Sequence, residues 1–164
     1  RLIEIPEFKR LYKNGKKFKQ VLNGIIVQSS DDIVWNEENI SFVSNRKPTE
    51  KELEELKFAF TCCKSTFSNS VVISKNGGTL ALGQGETKRS WAVEESIERA
   101  GEKAKGAVLA SDGFFFRDTI ELLSKAGIEV IAQPGGSVKD SEVIDYANEH
   151  NICLVFTNVR HFRH

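Results

Sequence analysis

The sequence predicts an α/β protein with a three-layer α/β/α architecture, in which a β-hairpin is followed by parallel strands. Three observations lead there. Lys75-Asn-Gly-Gly78 separates two apolar runs, and Asn-Gly in that position signals a hairpin because both turn residues favour positive φ. Thr49 stands three residues ahead of Glu52 at the head of an apolar periodic stretch, a pairing that satisfies two orphan amides at a helix start. From Arg89 to Phe156, helix-period and strand-sized apolar segments alternate, as they do when crossovers build a mostly parallel sheet covered on both faces.

Residues 1–23 read as an irregular, basic N-terminal arm, and 24–164 as the domain proper. Gly24-Ile-Ile-Val-Gln28 is a short apolar run between polar turns, hence a strand. Leu53, Leu56, Phe60 and Cys63 recur at three- and four-residue spacing behind the capping box, giving a helix from Pro48 to about Lys64 with one buried stripe. Val71–Ile73 and Leu80–Leu82 form the hairpin. Ala92, Val93, Ile97, Ala100 and Ala104 mark the next helix. A strand at Ala107–Ala110, a helix at Asp118–Ala126, a strand at Glu129–Ala132, a helix at Asp140–Glu149 and a strand at Ile152–Phe156 complete the order.

The length of 164 residues fits one compact unit. Lysine plus arginine and aspartate plus glutamate each count 23, so no global field draws the chain to nucleic acid or anionic lipid. Charge is arranged locally: the first twenty residues are basic and Asp31–Glu55 leans acidic, which reads as two solvated surfaces or as a phosphate-binding patch. No apolar run approaches the roughly 20 residues of a membrane span, and no basic-then-apolar signal segment opens the chain. Cys62, Cys63 and Cys153 are an odd set containing a neighbouring pair, not a disulfide framework. A reducing, cytoplasmic setting is expected.

Ligand sites in parallel α/β sheets lie beyond the carboxyl ends of the strands, which singles out four loops. Gly83-Gln-Gly85-Glu-Thr-Lys-Arg89 offers backbone amides to an anion or is simply a turn. Gln133-Pro-Gly-Gly-Ser137 is an amide-lined pocket or a plain connection capped by Ser137 or Asp140. In Ser111–Asp118 three consecutive phenylalanines sit between aspartates; at least one ring should face a cleft, where it would suit a flat heteroaromatic ligand, unless all pack under the next helix. Ser65–Ser70 is the fourth. Thr157–His164 reads as a frayed tail or a lid. The His-x-Glu and Pro-Cys-x-x-Cys ligands of a zinc nucleobase deaminase are absent, so no zinc is expected.

In order, Arg1–Pro6, Asn23–Gln28, Pro48–Leu53, Ser68-Asn-Ser-Val71, Ser111–Asp118, Gln133–Ser137 and the terminal Arg160-His-Phe-Arg-His164 resemble segments of the bifunctional purine-biosynthesis family that joins aminoimidazole carboxamide ribonucleotide (AICAR) formyltransferase to inosine monophosphate cyclohydrolase. The resemblance covers essentially the whole chain and matches the second half of the transformylase domain. It implies a cytidine-deaminase-like sheet without zinc, formyl transfer from 10-formyltetrahydrofolate to the 5-amino group of AICAR, and one wall of the site rather than all of it. Asn69, Arg89, Phe114 and Arg160 match the family's nucleotide contacts, with Asn69 in a supporting catalytic role. Ser90, Asp118, Ser137 and Val138 match folate contacts, and Thr66, Ser70 and Asp112 match ligands of a potassium ion.

The sequence also departs from the family. Phe114-Phe-Phe116 is one residue shorter than Phe-Phe-Pro-Phe, and Gly85-Glu-Thr-Lys-Arg89 replaces Gly-Gln-x-Ser-Arg. The family's catalytic Lys-His pair, which belongs to the first half of the domain, has no counterpart here. The resemblance therefore implies an upstream half and a homodimer as partners, and an isolated chain without turnover. A noncatalytic nucleotide-binding or assembly module is the alternative.

Overall fold

The structure is a computed structural model describing Glu4 and residues 15–164; the Arg1–Pro6 segment, Glu4 apart, and the basic residues Lys9, Arg10 and Lys13 lie outside the described residues. Contacts divide the chain into a small unit ending at Ile33 and a large unit, Val34–His164. The sequence reading placed this division at residue 23. The difference arises because Gly24–Ser29 pairs backward.

In the small unit β1 (Lys16–Val21) and β2 (Gly24–Ser29) form an antiparallel hairpin from Lys16↔Ser29 to Val21↔Gly24. Strand β1 went unread because its lysines hide the alternation that puts Phe18 opposite Val27. Every residue of both strands is exposed within the described structure.

The large unit holds a six-stranded sheet in the order β3-β8-β7-β6-β4-β5. Its strands are β3 (Ser41–Phe42), β4 (Val71–Lys75), β5 (Gly78–Gly83), β6 (Val108–Ser111), β7 (Val130–Gln133) and β8 (Cys153–Phe156). Strands β6, β7 and β8 are parallel, whereas β4 runs antiparallel to both β5 and β6, and β3 antiparallel to β8. The sheet is thus mixed rather than mostly parallel. The hairpin turn has Asn76 at φ 56° and Gly77 at φ 74°, the conformation its sequence demands.

Four helices cover the sheet: α1 (Glu50–Cys63), α2 (Arg89–Ala100), α3 (Arg117–Lys125) and α4 (Asp140–Glu149). Successive strand residues point to opposite faces, so the core has two halves. Val72, Val108, Ala110, Val130, Ala132, Cys153 and Val155 meet Leu56, Ala59, Phe60 and Cys63 of α1. Val71, Ile73, Leu109, Ile131 and Leu154 meet α2, α3 and α4 through residues such as Val93, Ile120 and Val143. This is the expected three-layer stack. The Thr49 hydroxyl accepts from Glu52 N at 3.2 Å while Glu52 accepts from Thr49 N at 2.8 Å, so the capping box is complete. Among the described residues no helix is long and apolar enough to cross a membrane, and all three cysteines are free.

Candidate functional site

All four loops meet at one end of the sheet because of strand direction. Parallel β6, β7 and β8 send their following segments to a common end, and the antiparallel register Val71↔Ser111 and Val71↔Gly83 brings the segment before β4 and the one after β5 to the same place.

At the centre lies Asp112, fully buried. Its Oδ1 accepts from Arg89 Nη2 at 2.8 Å and from Ser70 N at 3.1 Å. Arg89 Nε also donates to Ser111 Oγ at 3.2 Å, so the guanidinium is held by two neighbouring residues. Asp112 Oδ2 is buried without a hydrogen-bond partner. Beside it, Thr66 Oγ1 lies 2.6 Å from Ser70 Oγ and donates to Cys63 O. Thr66, Ser70 and Asp112, predicted as cation ligands, thus form one connected group of buried oxygens.

Asn69 follows a cis Ser68–Asn69 peptide. Its Nδ2 donates to Glu86 O at 2.8 Å and Thr87 O at 3.3 Å, which fixes the side chain against the loop after β5 and leaves Oδ1 as its acceptor. The phenylalanine run resolves by alternation: Phe115 is buried at 1 % exposure, while Phe114 and Phe116 turn outward with ring centroids 5.5 Å apart and planes at 76°. At least one ring is thus turned out of the core, as expected, and the three do not all pack under the next helix. Phe115 N donates to the Gln133 side chain.

A cavity of about 390 Å³ is lined by Asn69, Arg89, Ser90, Phe114, Phe116 and Asp118, with Thr87, Lys88, Phe115 and Thr119 completing its walls. It takes in the start of α2, whose N-cap residue Lys88 makes no side-chain cap, so the first amides of that helix face it as donors for an anion, whereas at the start of α3 Thr119 N is already held by Asp118 Oδ1 at 2.8 Å. The cavity therefore combines amide donors, a guanidinium, a carboxylate and aromatic faces. Ser137, Val138 and Arg160 do not line it. Val138 is fully exposed, and Ser137 Oγ accepts from Lys139 N at 3.2 Å. Arg160 connects the two groups: its guanidinium sits 5.3 Å from the Phe114 ring centroid and donates to Gly136 O at 3.3 Å. A second cavity, of about 380 Å³, lies by Gly15, Lys16 and Gln28 of the small unit and gathers no buried polar side chain.

The C-terminal segment is not a frayed tail. His161 is buried at 1 % exposure, its N donates to Asp112 O at 3.3 Å, and Ser68 N donates to Arg163 O at 2.8 Å. The sequence reading missed these contacts because the partners are backbone groups of distant loops. It also passed over Lys88 and Thr119, whose only signal is their place beside a helix start, Lys88 just before α2 and Thr119 in the first turn of α3.

Comparisons with known proteins bear on the whole chain. The family described as AICARFT/IMPCHase bienzyme matches residues 1–99. The bifunctional purine biosynthesis protein PurH of Caldicellulosiruptor saccharolyticus is 50% identical over 147 residues, covering 89% of this chain and 28% of its own. PurH of Persephonella marina is 44% identical over 168 residues, covering 100% and 32%. The chain spans about a third of the length of the curated relatives it matches. Among solved structures, RibD of Acinetobacter baumannii overlaps 63% of this chain and 33% of its own, at TM-score 0.42 and 18% identity.

Proposed function

The chain belongs to the AICARFT/IMPCHase bienzyme family, and from that premise we propose that it forms one wall of a formyltransferase site in purine biosynthesis, where 10-formyltetrahydrofolate gives its formyl group to the 5-amino group of AICAR. One observation carries this reading: Asn69, Arg89, Ser90, Phe114 and Asp118, singled out from sequence, line a single cavity.

The 5-amino group is a weak nucleophile because its lone pair is conjugated with the ring and carboxamide. For transfer, that nitrogen bonds to the formyl carbon, the bond from the carbon to folate N10 breaks, and the proton lost by the amine is matched by one gained at N10. Orientation and proton removal both lower the barrier. Asn69 Oδ1 accepts from the carboxamide and thereby orients the ring. Arg89, held on Asp112, faces the nucleotide with a fixed charge, and Phe114, under Arg160, offers an aromatic face. Asp118 engages Thr119 N through Oδ1 at 2.8 Å and accepts from the pterin edge with its other oxygen. Ser90 completes the folate wall on the cavity side, and Ser137 and Val138 contact the remainder of the folate outside it. Proton removal falls to a Lys-His pair supplied by an upstream half of the domain.

A second body is also supported by the exposed aromatics Phe67, Trp91, Phe116 and Phe162, each between 46% and 54% exposed, since aromatic side chains are enriched at partner surfaces. The upstream half and a second copy in a homodimer would cover them. The oxygens of Thr66, Ser70 and Asp112, with an unpartnered Oδ2 among them, fit a potassium ion, which would supply positive charge to this buried group. The setting is cytoplasmic.

The test follows tetrahydrofolate release from 10-formyltetrahydrofolate and AICAR with the purified chain. No turnover alone, with turnover on adding an upstream transformylase half, is expected. Turnover by the chain alone would overturn the shared-site reading, and AICAR binding without turnover in either condition would favour a noncatalytic nucleotide-binding module.

A further inference from the structure

The arrangement of Phe114 over the cavity wall and Arg160 above it depends on two segments that are far apart in sequence, and both are fastened to one residue. Gln133 closes β7 and is fully buried. Its side-chain Oε1 accepts from Phe115 N, and its main-chain oxygen accepts from Thr157 N at 2.8 Å. The first bond pins the middle of the phenylalanine run. The second pins the start of the segment that carries Arg160. Phe115 is itself buried, so its amide has no access to water once Oε1 is removed. Gln133 Nε2, by contrast, is buried with no protein partner. A buried amide side chain that uses its oxygen and leaves its donor unpaired is retained for the oxygen, because the orphaned donor costs free energy at the same position.

We infer that Gln133 is a positioning residue for the candidate site: through Oε1 it fixes the Phe115 amide, and this turns Phe114 and Phe116 outward as the aromatic wall on which Arg160 rests. Its effect on ligand binding rests on the function proposed above; its effect on the wall does not. The chemistry required at position 133 is an acceptor oxygen at the reach of a three-carbon amide side chain. A carboxyl at that reach satisfies it in either protonation state, since both forms keep an accepting oxygen. A leucine fills the space and provides no acceptor.

The test compares the wild-type chain with Gln133→Leu and Gln133→Glu by amide-resolved NMR and hydrogen exchange. In Gln133→Leu the Phe115 amide resonance is expected to move upfield and its exchange to accelerate about tenfold or more, the scale of one lost buried hydrogen bond, with β4 and β6 amides unchanged. Gln133→Glu should return both to near wild-type values. If Gln133→Leu does not fold, Gln133→Met is the volume-filling comparison without an oxygen. An unmoved Phe115 amide in the apolar variant, or a Gln133→Glu variant that behaves like it, would overturn the positioning role. AICAR affinity, measured by calorimetry on the same proteins, should fall in the apolar variant and recover in Gln133→Glu. Absence of AICAR binding by the wild type would count against the proposed function, and the NMR result would still decide the role of Gln133.

Discussion

Arg89 Nη2 lies 2.8 Å from Asp112 Oδ1, joining a fully buried carboxylate to a guanidinium whose side chain is 17% exposed. The pair links the start of α2 to the end of β6. Removing one partner of a buried pair strands the other, so Asp112→Ala is expected to cost about 3 to 5 kcal/mol of unfolding free energy. Urea titration measures it, and a loss below about 1 kcal/mol, the range of exposed pairs, would show that the pair does not hold the loops.

Gly113 gives a gentler route to the same pair. A Cβ added there would lie 2.1 Å from Arg89 Nη2, so the guanidinium must move while the backbone need not. Gly113→Ala should weaken AICAR binding by about tenfold, equivalent to roughly 1.4 kcal/mol, in calorimetric titration. Combined with Arg89→Leu it should add little, because residues acting on one contact are not additive. Full additivity would show that Gly113 acts elsewhere.

Thr49→Ala removes the hydroxyl of the capping box, which typically costs about 1 kcal/mol and a fall in Tm of roughly 2 to 4 °C for a protein of this size. Burial alone would raise the Glu52 carboxyl, but the Thr49 amide and Arg46 outweigh it and hold it below 4.5. A lowered folded-state value stabilises above the unfolded value and is lost as pH falls. Thr49→Ala also removes the bond that the hydroxyl donates to the Glu52 carboxylate at 3.1 Å, so the Tm gap between variant and wild type should narrow in acid, and a gap constant from pH 7 to pH 3 would argue against that bond.

Burial pushes the Cys63 thiol up to about 12 and the Cys153 thiol up to about 11 from an ordinary 9.0. Thiolate is the reacting form, so an aromatic disulfide reagent at pH 8 should leave both untouched in the native protein and titrate them after denaturation. Both groups keep their proton in the folded state after the unfolded chain has lost it. Their contribution is thus intact below pH 9 and falls away between 9 and the folded values. Cys63→Ala should flatten the stability decline from pH 9 to pH 11, and an unchanged slope would refute the assignment.

Local signals carried most of the fold. The Asn76-Gly77 turn, the Thr49–Glu52 box and the apolar spacing of α1 to α4 each act within a few residues, and each is found where expected. What escaped was set by distant partners. Strand β3 has only two residues, and its place follows from the pairing of Ser41 with Phe156. The mixed direction of the sheet follows from β4 choosing β6 as its neighbour, which no local pattern states. At the site, Asn69, Arg89, Phe114 and Asp118 were legible because the ordered motifs resemble a family. Gln133 was legible only as the start of a turn, since its role lies in a bond to Phe115 from another loop.

The C-terminal segment sets a timetable. Arg163 N donates to Ser68 Oγ at 3.0 Å across 95 residues of chain, and His161 N reaches Asp112 O. During synthesis, α1, the hairpin and β6 are made well before residues 157–163, and segments fold as they become available. Ser68 and Asp112 must wait with their partners unsynthesised. The cavity wall is then the last part of the unit to be finished, and a nascent chain released before residue 163 would carry most of the core and an unfinished site.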